Sequence, residues 1–116
     1  MDLITPKRRR LHSTPFDGVG TSARNVLYIP LKIIRFEINE SVLHLGKKML
    51  TFQADYIDKN GVRYHRPVMT ESFTLINTIS GTESELPHYT KIIRKRDGYF
   101  YFVKLNDIEK SQLINI

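Results

Sequence analysis

The 116-residue chain contains no cysteine and no tryptophan. The missing thiols exclude disulfides, thiolate catalysis and zinc–thiolate sites, and they are compatible with a reducing compartment. No apolar run approaches the roughly 20 residues of a membrane-spanning helix. The N-terminal residues also lack the apolar region of a secretion signal, so no membrane partner is expected. Patterns for catalysis are absent too. The histidines at 12, 44, 65 and 88 are far apart, and they are expected to be surface, stacking or hydrogen-bonding residues with no metal or other cofactor. No strained nucleophile turn surrounds any serine or threonine. Asp55, Asp58, Glu71 and Glu83 are scattered acids of the kind that are usually solvated. The chain is therefore not expected to be an enzyme.

What the sequence does have is positive charge. The formal net charge is +6, with 41% hydrophobic and 26% charged residues, the profile of one globular domain that favours acidic partners such as nucleic acid. Residues 1–24 read as a disordered basic tail, with Thr-Pro pairs at 5–6 and 14–15 and glycines at 18 and 20. Lys7, Arg8, Arg9 and Arg10 follow Pro6. Such a run resists burial and suits the acidic groove of an import receptor, so a nuclear location is expected. The segment Asp17-Gly-Val-Gly20 has no preceding strand and reads as a flexible linker.

Residues 25–116 read as the domain. Val26–Ile38 is rich in β-formers and interrupted by Pro30, which predicts two short strands or one bent strand. A strand from Lys47 or Lys48 should place Leu50, Phe52, Ala54 and Tyr56 on one face and Thr51, Gln53 and Asp55 on the other. Asn60-Gly61 predicts a hairpin leading into a basic strand that carries Arg63, His65 and Arg66. Ser72–Ile79 fits both strand and helix periods. His88–Arg94, the turn signal Asp97-Gly98 and Tyr99–Leu105 read as a second hairpin. Asn106 is placed to cap a C-terminal helix, with Asp107 and Glu109 at its positive end and Ile108 and Leu113 on one packing face.

Cations and aromatics recur together along this domain. Lys47, Lys48, Arg63, Arg66, Lys91, Arg94, Lys95 and Arg96 flank strands bearing Tyr56, Tyr64, Tyr89, Tyr99 and Tyr101. Cations neutralise phosphates and aromatic faces stack unpaired bases, so single-stranded nucleic acid fits this pattern better than a duplex. For any one tyrosine, core or edge packing is the simpler reading.

Two segments resemble the C-terminal single-stranded-DNA-binding domain of the transcriptional coactivator positive cofactor four. They are Gly46-Lys-Lys-Met-Leu50 through Tyr56-Ile-Asp-Lys-Asn-Gly61, and Val103-Lys-Leu-Asn106 through Ser111-Gln-Leu113. The resemblance implies an α+β fold: a curved antiparallel β-sheet of about four or more strands followed by a C-terminal α-helix. It also implies a homodimer formed through that helix and possible contact with the transcription machinery. By position, Lys47 would contact phosphate and Tyr56 would replace a base-stacking aromatic. Gln53 falls where the family has an arginine, Tyr101 where it has a lysine and His44 where it has an aromatic. Residues 62–97 are longer than the family's connection and look like an inserted hairpin or flap, whose Arg63, Arg66, Lys91, Arg94, Lys95 and Arg96 would restore the missing cations.

The expected function is thus a nuclear, single-stranded-DNA-binding, coactivator-like protein. The expected nucleic-acid-binding residues are Lys47, Lys48, Gln53, Tyr56, Arg63, Arg66, Arg94, Lys95, Arg96 and Tyr101. A nuclear protein–protein interaction module and an RNA-binding module remain the alternatives.

Overall fold

Alternation of apolar and polar residues builds the centre of the molecule. Lys48–Ile57 (β3) directs Leu50, Phe52, Ala54 and Tyr56 to one face, and all four are buried. The structure, a computed structural model, describes residues 16–114 and 116. Around β3 lie Thr21–Ser22 (β1), Leu31–Glu40 (β2), Arg63–Thr70 (β4), His88–Arg94 (β5) and Phe100–Lys104 (β6). The helices are Phe73–Ile79 (α1) and Asp107–Ile114 (α2). The six strands form one curled sheet in the order β1-β4-β3-β2-β5-β6. The α+β class and curved sheet agree with expectation, but the sheet is mixed, because β1 runs parallel to β4.

β2 carries the sequence Leu-Lys-Ile-Ile-Arg-Phe-Glu-Ile, whose doubled isoleucine breaks the alternation. The register shift between Ile33 and Arg35 absorbs the extra residue as a β-bulge. Ile33 pairs with Ala54 before it, and Phe36 with Phe52 and Ile38 with Leu50 after it. Apolar side chains on both sides of the bulge therefore face the same core. Leu75 and Ile79 of α1 close that core with Ala23 and Val26 from a 3-10 turn at Ala23–Val26. Ser72 caps α1 by accepting from the Leu75 amide, which helps resolve the strand-or-helix ambiguity of this segment in favour of helix.

Three sequence expectations need correction. Residues 62–97 are not an appended flap: β4 pairs with β3 and β5 pairs with β2, so this stretch supplies central parts of the sheet. β4 continues through Pro67, which stands in register with Gln53 of β3. The tail boundary at residue 24 is also too late. Residues from Asp17 are fastened to the sheet, Thr21–Ser22 pair with β4, and Ala23 is buried. Gly18 and Gly20 are close-approach positions rather than a linker, since a Cβ at Gly18 would lie 2.7 Å from the His65 carbonyl.

The capped C-terminal helix forms as expected. Asn106 Oδ1 accepts from the Glu109 amide at 2.8 Å and Glu109 Oε1 accepts from the Asn106 amide at 3.0 Å, a reciprocal capping box. Leu113 is buried, but Ile108 is exposed; Lys91–Glu109 at 2.7 Å and Lys110 over the Tyr89 ring hold the helix beside β5.

Candidate nucleic-acid interface

The structure distributes the expected binding residues over three places. Lys47 and Lys48 sit where the β2–β3 loop enters β3, while Arg63 pairs with Ile57 at the other end of that strand. Nine strand steps separate Lys48 from Ile57, about 30 Å. Arg94, Lys95 and Arg96 belong to a third place, the β5–β6 hairpin, separated from the β3–β4 hairpin by β2 in the sheet order.

Around the β3–β4 hairpin, two expected contacts prove to be structural. Gln53 is 1% exposed, and its amide exchanges hydrogen bonds of 2.8 and 2.9 Å with the backbone N–H and C=O of Asp17. Tyr56 is 3% exposed, with Tyr64 stacked on it at 5.0 Å between ring centroids. Burial pushes the Tyr56 phenol above its ordinary pKa, against the opposing hydrogen bond and charge of Arg66. Neither side chain is free to meet a base. Arg66 stands over the Tyr64 ring at 4.9 Å, donates to the Val19 carbonyl at 3.0 Å and reaches the Tyr56 hydroxyl at 3.4 Å, so its guanidinium is committed mainly to holding the N-terminal segment.

Beside it, His65 links two acids. Its Nδ1 is hydrogen-bonded to Asp55 and its Nε2 lies 3.6 Å from Asp17 Oδ2. The bond to the Asp55 carboxylate holds the imidazolium above the usual histidine range, with partial burial opposing it and Asp17 adding to it.

The β5–β6 hairpin is built differently. Its turn closes through Lys95 N–H to Tyr99 C=O at 3.1 Å and Gly98 N–H to Lys95 C=O at 2.9 Å, with Gly98 at φ +86° as the Asp-Gly signal requires. Asp97 accepts from the Tyr99 amide at 2.8 Å and from the Tyr101 hydroxyl at 2.7 Å. The Tyr101 hydrogen bond is the main reason that the Asp97 carboxyl is held below its usual range, and the same bond raises the Tyr101 phenol. Lys95 Nζ stands 4.3 Å above the Tyr101 ring and the Arg94 guanidinium 5.4 Å above Phe100. Tyr99 is 59% exposed. Among the described residues, Arg94, Lys95 and Arg96 have no carboxylate within ion-pair distance.

Sequence reasoning passed over Tyr28, which organises this hairpin. β2 begins only at Leu31, after Pro30, so the edge of β5 beyond Thr90 would be left open. Tyr28 covers it by donating its N–H to the Ile92 carbonyl at 2.7 Å, while its hydroxyl donates to the Arg94 carbonyl at 3.1 Å and accepts from the Arg94 amide at 3.2 Å. The geometry requires φ +66°, a left-handed conformation that strains a bulky residue. Only the nearby Pro30 hints at it in the sequence, by forbidding an ordinary ladder there.

At the loop end of β3, Lys48 pairs with Glu40 at 3.5 Å, whereas Lys47 has no carboxylate within ion-pair distance among the described residues, although its charge helps to lower the Glu71 carboxyl. His44 is bound to Glu71 at 2.7 Å through Nδ1, and its side chain stays 61% exposed. Lys7, Arg8, Arg9 and Arg10 lie outside the described residues. Among the described residues, no group of three or more histidine, aspartate or glutamate side chains is placed to hold a metal ion. No protein-family model matches the chain, and no curated protein and no solved structure matches it either.

Proposed function

We propose that this protein binds single-stranded DNA, largely without sequence preference, through the β5–β6 hairpin. The observation that carries the reading is the run Arg94-Lys95-Arg96, without ion-pair partners among the described residues and set beside the exposed Tyr99 and the half-buried Tyr101. The turn holds these groups in one place before any ligand arrives, which lowers the ordering cost of binding. Phosphates meet the cations, and a base stacking on an exposed aromatic contributes roughly 1 to 3 kcal/mol. Lys47 and Arg63 extend the basic surface at other points, while Gln53 and Tyr56 support the scaffold. A nuclear, coactivator-like setting belongs to the same proposal. It is supported by the resemblance of residues 46–61 and 103–113 to the positive cofactor four domain and by the basic run at 7–10.

A fluorescence titration with unpaired and duplex DNA and unpaired RNA of one sequence, at two salt concentrations, tests the reading. Unpaired DNA should bind best. Replacing Arg94, Lys95 and Arg96 together by alanine should flatten the logarithmic salt slope by about 0.7 for each phosphate that the variant no longer neutralises. Equal or absent binding to all three oligonucleotides defeats the proposal, and tighter binding to RNA redirects it to the alternative strand.

A further inference from the structure

Where β2 and β5 begin and β6 ends, the curled sheet holds a cavity of about 320 Å³. The ladder pairs Ile33–His88 and Thr90–Lys104 set these strands side by side, and the end of α1 and a 3-10 turn at Glu83–Glu85 wall the other side. Small-molecule sites occupy roughly 300 to 1,000 Å³, so the space is adequate. Its floor is apolar, with Ile33 and Ile79 buried and Phe102 half-buried. An aromatic ring beside two aliphatic side chains suits a flat heterocycle.

The polar groups decide which heterocycle. Thr82 Oγ1 lies 2.6 Å from the Ile79 carbonyl and 2.8 Å from His88 Nε2. A hydroxyl has one proton and a carbonyl only accepts, so that proton goes to Ile79 and His88 Nε2–H donates to Thr82. The neutral imidazole is therefore left with a bare Nδ1, which has no partner among the described residues. Glu85 adds a second acceptor at the same cavity and Lys104 a donor, both exposed and without ion-pair partners among the described residues.

We propose that this cavity takes a guanine base, a proposal that rests on the nucleic-acid reading for the strand that delivers it. The guanine edge with N1–H and the N2 amine offers adjacent donors to Glu85 and His88 Nδ1, while O6 and N7 accept from Lys104. Adenine and cytosine each bring a single amine, and thymine flanks its one N–H with two carbonyls that a carboxylate repels. Glu85 also sets negative charge at the mouth, which turns phosphates away and admits the uncharged base. Lys104 lies four strand steps from Phe100, the ladder partner of Arg94. That is about 13 Å, or roughly four stacked nucleotides, so one strand can reach both the cavity and the hairpin cations. The cations then hold the backbone whatever its sequence, and the cavity reads one position.

Two titrations of the full chain test this. In the first, a thymidine strand is compared by fluorescence with strands carrying one central guanine, adenine or cytosine. Guanine should tighten binding about tenfold, the worth of one charge-assisted hydrogen bond. Glu85→Ala, a change at an exposed side chain, should erase that gain and leave affinity for the thymidine strand unchanged. In the second, guanosine alone is added while amide NMR shifts are recorded. The Thr82, His88 and Phe102 amides should move, and Glu85→Ala should need about tenfold more guanosine for the same shift. Equal affinity for every strand with unmoved amides overturns the proposal while the hairpin reading stands, and a guanine preference that survives Glu85→Ala overturns it too. Shifted amides without binding of any strand leave the cavity to a free guanine nucleoside and defeat the hairpin reading. Absence of both responses defeats both.

Discussion

Gln53 and Asp17 exchange two hydrogen bonds across 36 residues of sequence, Asp17 N–H to Gln53 Oε1 at 2.8 Å and Gln53 Nε2 to Asp17 C=O at 2.9 Å. A side-chain amide here satisfies a backbone N–H and C=O much as a paired strand would, although β3 is already paired with β2 and β4. Gln53→Ala should therefore act on stability and not directly on ligand contact. Leaving partners unsatisfied costs about 1 to 3 kcal/mol. Chemical denaturation should show that loss, and hydrogen exchange should show faster exchange at Asp17. Unchanged stability with weakened DNA binding would restore Gln53 to the interface.

The same segment should respond to pH through His65. Asp55, chiefly by its hydrogen bond, and Asp17 raise the folded-state pKa above the unfolded value of about 6.5. The contribution is complete below that unfolded value and is lost as pH rises through the raised one. Partial burial opposes the shift. The melting-temperature gap between wild type and His65→Asn should narrow from mildly acidic to alkaline pH. His65 is 47% exposed, so solvent keeps the effect small. A gap that widens with pH contradicts the assignment.

Two tyrosines should separate fold from binding. Tyr56→Ala removes a buried aromatic, for which large-to-small core changes cost about 3 to 5 kcal/mol. Tyr99→Ala alters an exposed side chain and should leave thermal stability nearly unchanged while weakening affinity for unpaired DNA about tenfold, with the salt slope kept. Paired melting and titration measurements would show it; equal effects of Tyr99→Ala on both would place Tyr99 in the scaffold.

Tyr28→Phe keeps the ring and removes both hydroxyl hydrogen bonds to the Arg94 backbone. A loss of about 0.5 to 1.5 kcal/mol is expected. The Arg94 amide should exchange faster, and unpaired DNA should bind more weakly with little change in salt slope. An unaltered Arg94 exchange rate would show that the hairpin does not depend on these hydrogen bonds.

Much of the secondary structure was legible locally. Asn60-Gly61 and Asp97-Gly98 marked both hairpins, with Gly61 and Gly98 at positive φ, and Asn106 marked the last helix. The doubled Ile33-Ile34 carried the signal for the bulge, because two adjacent apolar residues break a period of two. The site was less legible. Alternation placed Gln53 opposite the core and so suggested exposure, but the Asp17 backbone binds its amide and the side chain is buried. Tyr56 was correctly set on the apolar face of β3, the same fact that removes it from solvent.

Local chemistry alone thus determined the strands, the turns, the helix cap, the positive charge and the apolar face of β3, since each depends on residues a few positions apart. Tertiary structure decided what those residues are available to do. It made 62–97 part of the sheet, tied Gln53 to Asp17, stacked Tyr64 on Tyr56 and left Arg94-Lys95-Arg96 without ion-pair partners among the described residues. The reason is that side-chain availability depends on pairing and burial between distant segments, and a sequence pattern fixes only which way a side chain points along its own strand.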